Sequence, residues 1–262
     1  MTPLRFLTGP VGAARGDAAA FFAKVLARRI GRPVDVRATP GYSELLETIL
    51  DGDAEFAWLP PAVYVRAEGL AGVMPLVAGI RANRAKFRGA FFVRTESDFD
   101  GLATLRGRRV AWVDRNSCAG YLFPRLLLRQ QGHDPDHFFS EESHLGNHGA
   151  VVDAVERGEA DVGATFVHQE GDEERIVGSG WGLSGESTRM RIVAATVPIP
   201  SDALVAVAAT SIDLRSRFSD AVSSMHEDQD GRRALGRLFG VARFEATLPS
   251  RYDAVRNAMR DA

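Results

Sequence analysis

The chain has 262 residues, 45% of them apolar and 25% charged, enough for one large domain or two lobes of ordinary size with buried cores. Its net charge of −2 comes without any block of like charge, which argues against nucleic acid or an anionic membrane surface as partner. Cys118 is the only cysteine, so an intrachain disulfide is excluded and a cysteine-based zinc site is not expected.

The chain opens Met1-Thr2-Pro3-Leu4-Arg5-Phe6-Leu7, with no basic segment leading into a long apolar one. No signal peptide is therefore expected in the sequence as given, and the location expected from it is cytoplasmic. A periplasmic or lipid-anchored protein would require that a leader had been removed. No run of about 18 apolar residues is present, so no membrane span is expected.

Leu4 to Thr8 reads as a short apolar strand broken by Gly9-Pro10. Residues 17–30 follow as a helix with Phe21, Phe22, Val25 and Leu26 on one side. Residues 33–39 alternate as a second strand, and 42–50 form a helix ending near Gly52. Phe56 to Leu59 is a third strand. Pro60-Pro61 opens a helix to Ala67, as suits proline in a first turn, and Met74 to Ile80 is a fourth strand.

A second run of the same kind follows. It has an extended segment at 87–94, a strand at 108–114, a helix at 119–131, a strand at 140–145, a helix at 149–156 and a strand at 161–166. Residues 169–190, polar and glycine-rich, are expected to be a loop. Strands at 191–197 and 204–208 and helices at about 213–226, 230–238 and 250–260 complete the chain. No internal repeat or low-complexity tract is evident.

Alternating strands and helices imply parallel βαβ units. The expectation is an α/β protein of two lobes, each an open, mostly parallel sheet flanked by helices, with two crossing segments as hinge. Lobe one would hold residues 1–88 and 198–262, and lobe two residues 89–197. Ligands of open α/β sheets sit beyond the carboxyl ends of the strands, which places one in the crevice between the lobes.

The strongest local signal is Val113-Asp-Arg-Asn-Ser-Cys-Ala-Gly-Tyr121, which follows a strand and opens a helix. Its small polar residues leave backbone N–H groups and a hydroxyl to face an anion. The competing reading is a plain helix cap by Asn116 or Ser117. Cys118 in the first turn has the position of a reactive thiol, and His148, before another helix of the same lobe, is a weak candidate for its partner. No third orienting group accompanies them, so no catalytic set is assigned. Gly146-Asn-His-Gly-Ala150 repeats the strand–turn–helix pattern, and His148 there is a donor to an anion or a surface cap. Tyr42, Trp58, Tyr64 and Phe87 lie near strand ends and line either a ligand wall or the core. The histidines have no metal-ligand spacing, and no phosphate loop, Gly-x-Gly-x-x-Gly or Gly-x-Ser-x-Gly motif is present. Neither a metal nor a cofactor is expected.

Several stretches resemble, in order, the PhnD-like phosphate, phosphite and phosphonate substrate-binding proteins of ABC importers. Ala54-Glu-Phe-Ala-Trp-Leu-Pro-Pro-Ala-Val-Tyr64 is similar to the family's "DVAWLGPLAYV". Leu105-Arg-Gly-Arg-Arg-Val-Ala-Trp-Val-Asp-Arg-Asn-Ser-Cys-Ala-Gly-Tyr121 is similar to "LKGKRVAFVDPNSTSGY". Phe138-Phe139, Gly146-Asn-His148 and Ala154-Val-Glu-Arg-Gly-Glu-Ala-Asp-Val-Gly-Ala-Thr165 resemble "FF…GSHDAAVLAVLNGKVDAGAT". Ile199-Pro200 and Arg251-Tyr-Asp-Ala-Val-Arg256 also fit.

The resemblance implies a type II periplasmic-binding-protein fold and a small anionic ligand. It further implies an ABC permease as partner, and lobes that close on the ligand. Asn116, Ser117, Cys118, Ala119 and His148 would hold the anion. Tyr42 and Phe87 occupy positions of family cleft tyrosines, and Asp161 and Thr165 match a segment beside the cleft. Thr8 and Trp58 complete the candidate set. Two departures stand out. Cys118 and Ala119 replace hydroxyls of the family's Ser-Thr-Ser, and Phe87 lacks a phenol oxygen, so the ligand is not expected to be a standard phosphonate. The absent leader keeps a cytosolic enzyme on the same fold, lyase-like or synthase-like, or a ligand sensor with its own partner, as alternatives.

Overall fold

The computed structural model describes residues 2–9, 16–81, 83–170, 175–183 and 189–260. In chain order the elements begin with β1 (Leu4–Thr8), α1 (Gly16–Ile30), β2 (Val34–Ala38), α2 (Tyr42–Leu50), β3 (Phe56–Leu59), α3 (Pro61–Ala71) and β4 (Met74–Ile80). They continue with β5 (Lys86–Arg94), β6 (Arg109–Trp112), α4 (Phe123–Gln130), β7 (Glu141–His144), α5 (His148–Glu156), β8 (Val162–Glu170), β9 (Arg175–Ser179) and β10 (Gly182–Leu183). The last are β11 (Met190–Ala195), β12 (Ile199–Pro200), β13 (Ala203–Ala206), α6 (Ile212–Ser223), α7 (Gln229–Phe239), β14 (Arg243–Ala246) and α8 (Asp253–Arg260).

The chain divides into two units, Met1–Ala85 with Pro200–Asp253, and Lys86–Ile199 with Ala254–Ala262. Each is built on one sheet with flanking helices. In the first, the strand order is β14-β4-β13-β3-β1-β2. β1 runs parallel to both β2 and β3, whereas β13 is antiparallel to β3 and β4. In the second, the path β10-β9-β8-β5-β11 is extended by β6, which lies parallel to both β7 and β8. β5 is antiparallel to β8 and β11.

Periodicity explains the core of the first unit. In α1, Phe22, Val25, Leu26 and Ile30 recur at helical spacing, and all are buried. Phe22 meets Phe6 of β1 at 5.5 Å and Phe239 of α7 at 5.0 Å between ring centres. Phe56 of β3 stacks on Phe218 of α6 at 3.9 Å. All four residues of β3 are buried, as a strand inside a sheet covered on both faces requires. Proline at the start of α3 and Gly72, left-handed at φ 59°, bound that helix.

The two sheets share one wiring. β1 leads through α1 to β2 beside it, and β2 leads through α2 back across β1 to β3. β6 leads through α4 to β7, and β7 through α5 back across β6 to β8. Reversal of direction beside the first strand makes a topological switch point, at β1/β3 in one unit and β6/β8 in the other.

Two segments differ from expectation. Residues 169–190 are not all loop: β8 continues to Glu170, and β9 pairs back on it antiparallel, His168 opposite Gly178. Glycines in Gly178-Ser-Gly-Trp-Gly182 carry no side-chain alternation, so the hairpin leaves no period-two signal. β14 was not expected between the last helices. It is a four-residue edge strand with one fully buried side chain, Phe244, too little for a pattern.

Candidate functional site

In the first unit the parallel strands β1, β2 and β3 bring their carboxyl ends to one edge. Thr8 ends β1 and is buried. Its carbonyl accepts from the Thr39 amide at 2.8 Å and from the Thr39 hydroxyl at 3.3 Å. A Cβ placed on the next residue, Gly9, would lie 3.2 Å from Leu45 Cδ2, 3.3 Å from Tyr42 Cε1 and 3.4 Å from Trp58 Cζ3. The end of β1, the first residue of α2 and the end of β3 therefore converge, and three candidate residues, Thr8, Tyr42 and Trp58, stand together. The N-cap positions of α2 and α3 are Gly41 and Pro60, neither of which caps its helix with a side chain.

In the second unit the carboxyl end of β6 runs into the turn Asp114-Arg115-Asn116-Ser117. Asp114 folds it, accepting the Asn116 amide on Oδ1 at 2.7 Å and the Ser117 amide on its carbonyl at 2.8 Å. Ser117 Oγ then accepts the Gly120 amide at 3.0 Å. Ser117 is thus a helix cap, and as a hydroxyl it keeps a proton to donate. The first helical turn, Cys118 to Leu122, is wide: Leu122 donates to the Ser117 carbonyl five residues back at 3.0 Å. The amides ahead of Leu122, that of Ala119 among them, lie at the positive end of the helix. Asn116, Ser117, Cys118 and Ala119 are all buried there.

This turn is seated on β5. A Cβ on Gly89 would come 2.9 Å from the Ala119 carbonyl oxygen and 3.2 Å from Ala119 Cα, so only glycine permits the approach. Gly89 is fixed in turn by Thr196, which accepts its amide on Oγ1 at 2.9 Å and donates back to its carbonyl at 2.8 Å.

His148 opens α5 behind the cap Asn147, whose Oδ1 accepts the Ala150 amide at 2.9 Å. Its Nδ1 lies 2.8 Å from the hydroxyl of Thr165, which is fully buried in β8. Burial pushes the imidazole down to about 4, so His148 is neutral near pH 7. A Thr165 hydroxyl donating to Nδ1 would leave the ring proton on Nε2, where it can face an anion. The β6/β8 switch point therefore carries the capped turn after β6 and the His148–Thr165 pair after β7.

Phe87 lies at the start of β5, its ring 6.1 Å from that of His168. Asp161 is not brought to this edge. It precedes β8 at the amino end of the strands, where Arg109, first residue of β6, binds its carboxylate through Nε at 3.1 Å and Nη2 at 2.8 Å. Those bonds hold the carboxyl below its usual range. Thr39, Gly89, Phe166, His168 and Thr196 were not singled out from the sequence. Gly89 sits in an apolar strand, where glycine is itself a signal of close backbone approach.

Two sheets of like wiring, each with a loop-and-helix edge at its switch point, define the type II periplasmic-binding-protein fold, and solved structures share it. A PhnD1 from Prochlorococcus marinus in complex with methylphosphonate superimposes with TM-score 0.81 at 17% identity, over 98% of this chain and 97% of that one. A binding protein component of an ABC phosphonate transporter from Pseudomonas aeruginosa gives 0.82 at 16% identity, over 99% and 86%. The chain belongs to the family described as "ABC transporter, phosphonate, periplasmic substrate-binding protein", whose pattern matches residues 17–252. A curated relative, the phosphate-import protein PhnD of Mycolicibacterium smegmatis, is 26% identical over 154 residues, 55% of this chain and 48% of that protein. The match thus spans about half the length of that relative. Among the described residues no helix is long and apolar enough to cross a membrane.

Proposed function

We propose that this protein is the ligand-binding subunit of an importer and holds a small anion at the switch-point edge of its second unit. Asn116, Ser117, Cys118 and Ala119 form the anion turn, and His148, backed by Thr165, donates from the other side of the sheet. Thr8, Tyr42 and Trp58 gather at the corresponding switch-point edge of the first unit. A permease is the partner, and the periplasm the working location, by analogy with the family. The observation that carries the reading is the pairing, at one switch point, of a helix start whose Ser117 keeps a donor with a neutral His148.

The ligand is less highly charged than a phosphonate dianion. Cys118, Ala119 and Phe87 stand where the family pattern has hydroxyls. Each hydrogen bond lost to a charged group is worth about 1.5–3 kcal/mol, enough together to weaken a dianion by orders of magnitude. A carboxylate or another monoanion fits the remaining donors.

Thermal-shift measurement with methylphosphonate, methanesulfonate, acetate and larger carboxylates tests this. A larger stabilisation by monoanions than by methylphosphonate is expected. Nanomolar binding of methylphosphonate would overturn the ligand assignment, and no shift with any anion would overturn the site.

A further inference from the structure

We infer that the ligand carries a flat, unsaturated or aromatic group beside its charge, laid against a face formed by Phe87, Phe166 and His168. This rests on the anion site proposed above. The register of β5 on β8 sets Gly89 opposite Phe166 and Arg88 opposite Val167, so Phe87 opposes His168. Residues opposite one another, and those two apart along a strand, point to the same face. Phe87, Gly89, Phe166 and His168 therefore share one face of the sheet. The anion turn lies on that face, because the missing Cβ of Gly89 is directed at Ala119.

The rings are continuous from the proposed donor outwards. His148 meets Phe166 edge-on at 4.9 Å and 81°, Phe166 meets His168 at 5.3 Å, and His168 meets Phe87 at 6.1 Å. They are not consumed by the core. Phe91 and Phe92 further along β5 are both 0% exposed, whereas Phe87, Phe166 and His168 are each partly exposed. A row of partly exposed aromatic rings next to an anion turn suits a ligand whose charged end meets the turn and whose flat end packs on ring edges and faces. A methyl group would leave most of that surface in water.

Calorimetry at pH 7.5 with matched pairs tests the inference: phenylphosphonate against methylphosphonate, benzoate against acetate, and benzoate against cyclohexanecarboxylate. The aromatic member is expected to bind about tenfold tighter or better in each pair. Phe166→Leu, and separately Phe87→Leu, are expected to shrink the aryl-to-alkyl ratio towards one. Anion binding without aryl preference, or with a ratio untouched by both substitutions, overturns the inference and leaves the anion site standing. No binding by any member overturns both.

Discussion

The carbonyl oxygen of Gly120 accepts the amide of Val113 at 3.2 Å, a bond from a helix back to the strand that feeds it. The residue that would normally claim that carbonyl is Pro124, four positions on, which has no N–H to give. Proline thus releases the bond that ties the anion turn to the end of β6, and accounts for the wide first turn.

Gly120→Ala tests how tightly this joint is packed. An added Cβ would stand 2.4 Å from Val113 Cγ2 and 2.7 Å from Val113 Cβ, both on a short β-branched side chain that cannot swing away. The substitution is expected to cost about 1–3 kcal/mol in urea unfolding and to weaken anion binding, since the turn must shift. Unchanged stability would show that the joint is looser than these distances imply.

Cys118→Ser restores a hydroxyl to the anion turn with little change of volume. If the ligand preference follows from the missing donors, methylphosphonate affinity is expected to rise by about tenfold or more, and the preference for monoanions to fall. Titration calorimetry of both proteins with methylphosphonate and acetate gives the comparison. Parallel gains for both ligands would mean that the hydroxyl adds a general donor and that charge selectivity lies elsewhere.

The sequence disclosed what local pattern encodes. The βαβ runs, the helix start at Ser117 and the turn before His148 are each written in a few consecutive residues. It could not disclose pairings made across the chain. The antiparallel placement of β13 between β3 and β4 joins residues far apart in sequence, and no periodicity specifies it. The position of Asp161 was misleading for the same reason. It is four residues from Thr165 along one extended strand, a span of about 13 Å, so Asp161 stays at the amino end of β6 and β8 while Thr165 reaches past the carboxyl end of β6. Phe166 and His168 looked like the end of a strand running into a loop, and only the register against β5 gathers them with Phe87.

Asp161→Asn separates a structural from a ligand role. The carboxylate accepts the Arg109 amide on Oδ2 at 3.0 Å in addition to the guanidinium bonds. Its folded value lies below the ordinary one, so its contribution to stability is present above the unfolded value near 3.8 and is lost as pH falls through the folded one. The variant is expected to lose a little stability at neutral pH, less at high salt because the Arg109–Asp161 pair is partly open to water, and to bind anions as before. Weakened anion binding with intact folding would bring Asp161 back into the site.

His148 gives the protein a pH dependence of opposite origin. The unfolded imidazole titrates near 6.5, and the folded one, desolvated on α5, near 4. Between those values the unfolded chain takes up a proton that the folded chain refuses, so falling pH favours unfolding. The penalty is absent well above pH 6.5, grows as pH drops through that value, and levels off below about 4 at a loss on the order of 1–3 kcal/mol. Carboxylates also titrate in the lower part of this range, so the measurement is a difference: urea unfolding of the wild type and of His148→Gln at pH 7.5, 5.5 and 4.5. Glutamine cannot take up the proton, and the wild type is expected to lose stability relative to the variant as pH falls. A constant difference across the three pH values would show that His148 takes up its proton as readily in the folded chain as in the unfolded one, and the donor assigned to the anion site would then become a cation as pH falls below about 6.5.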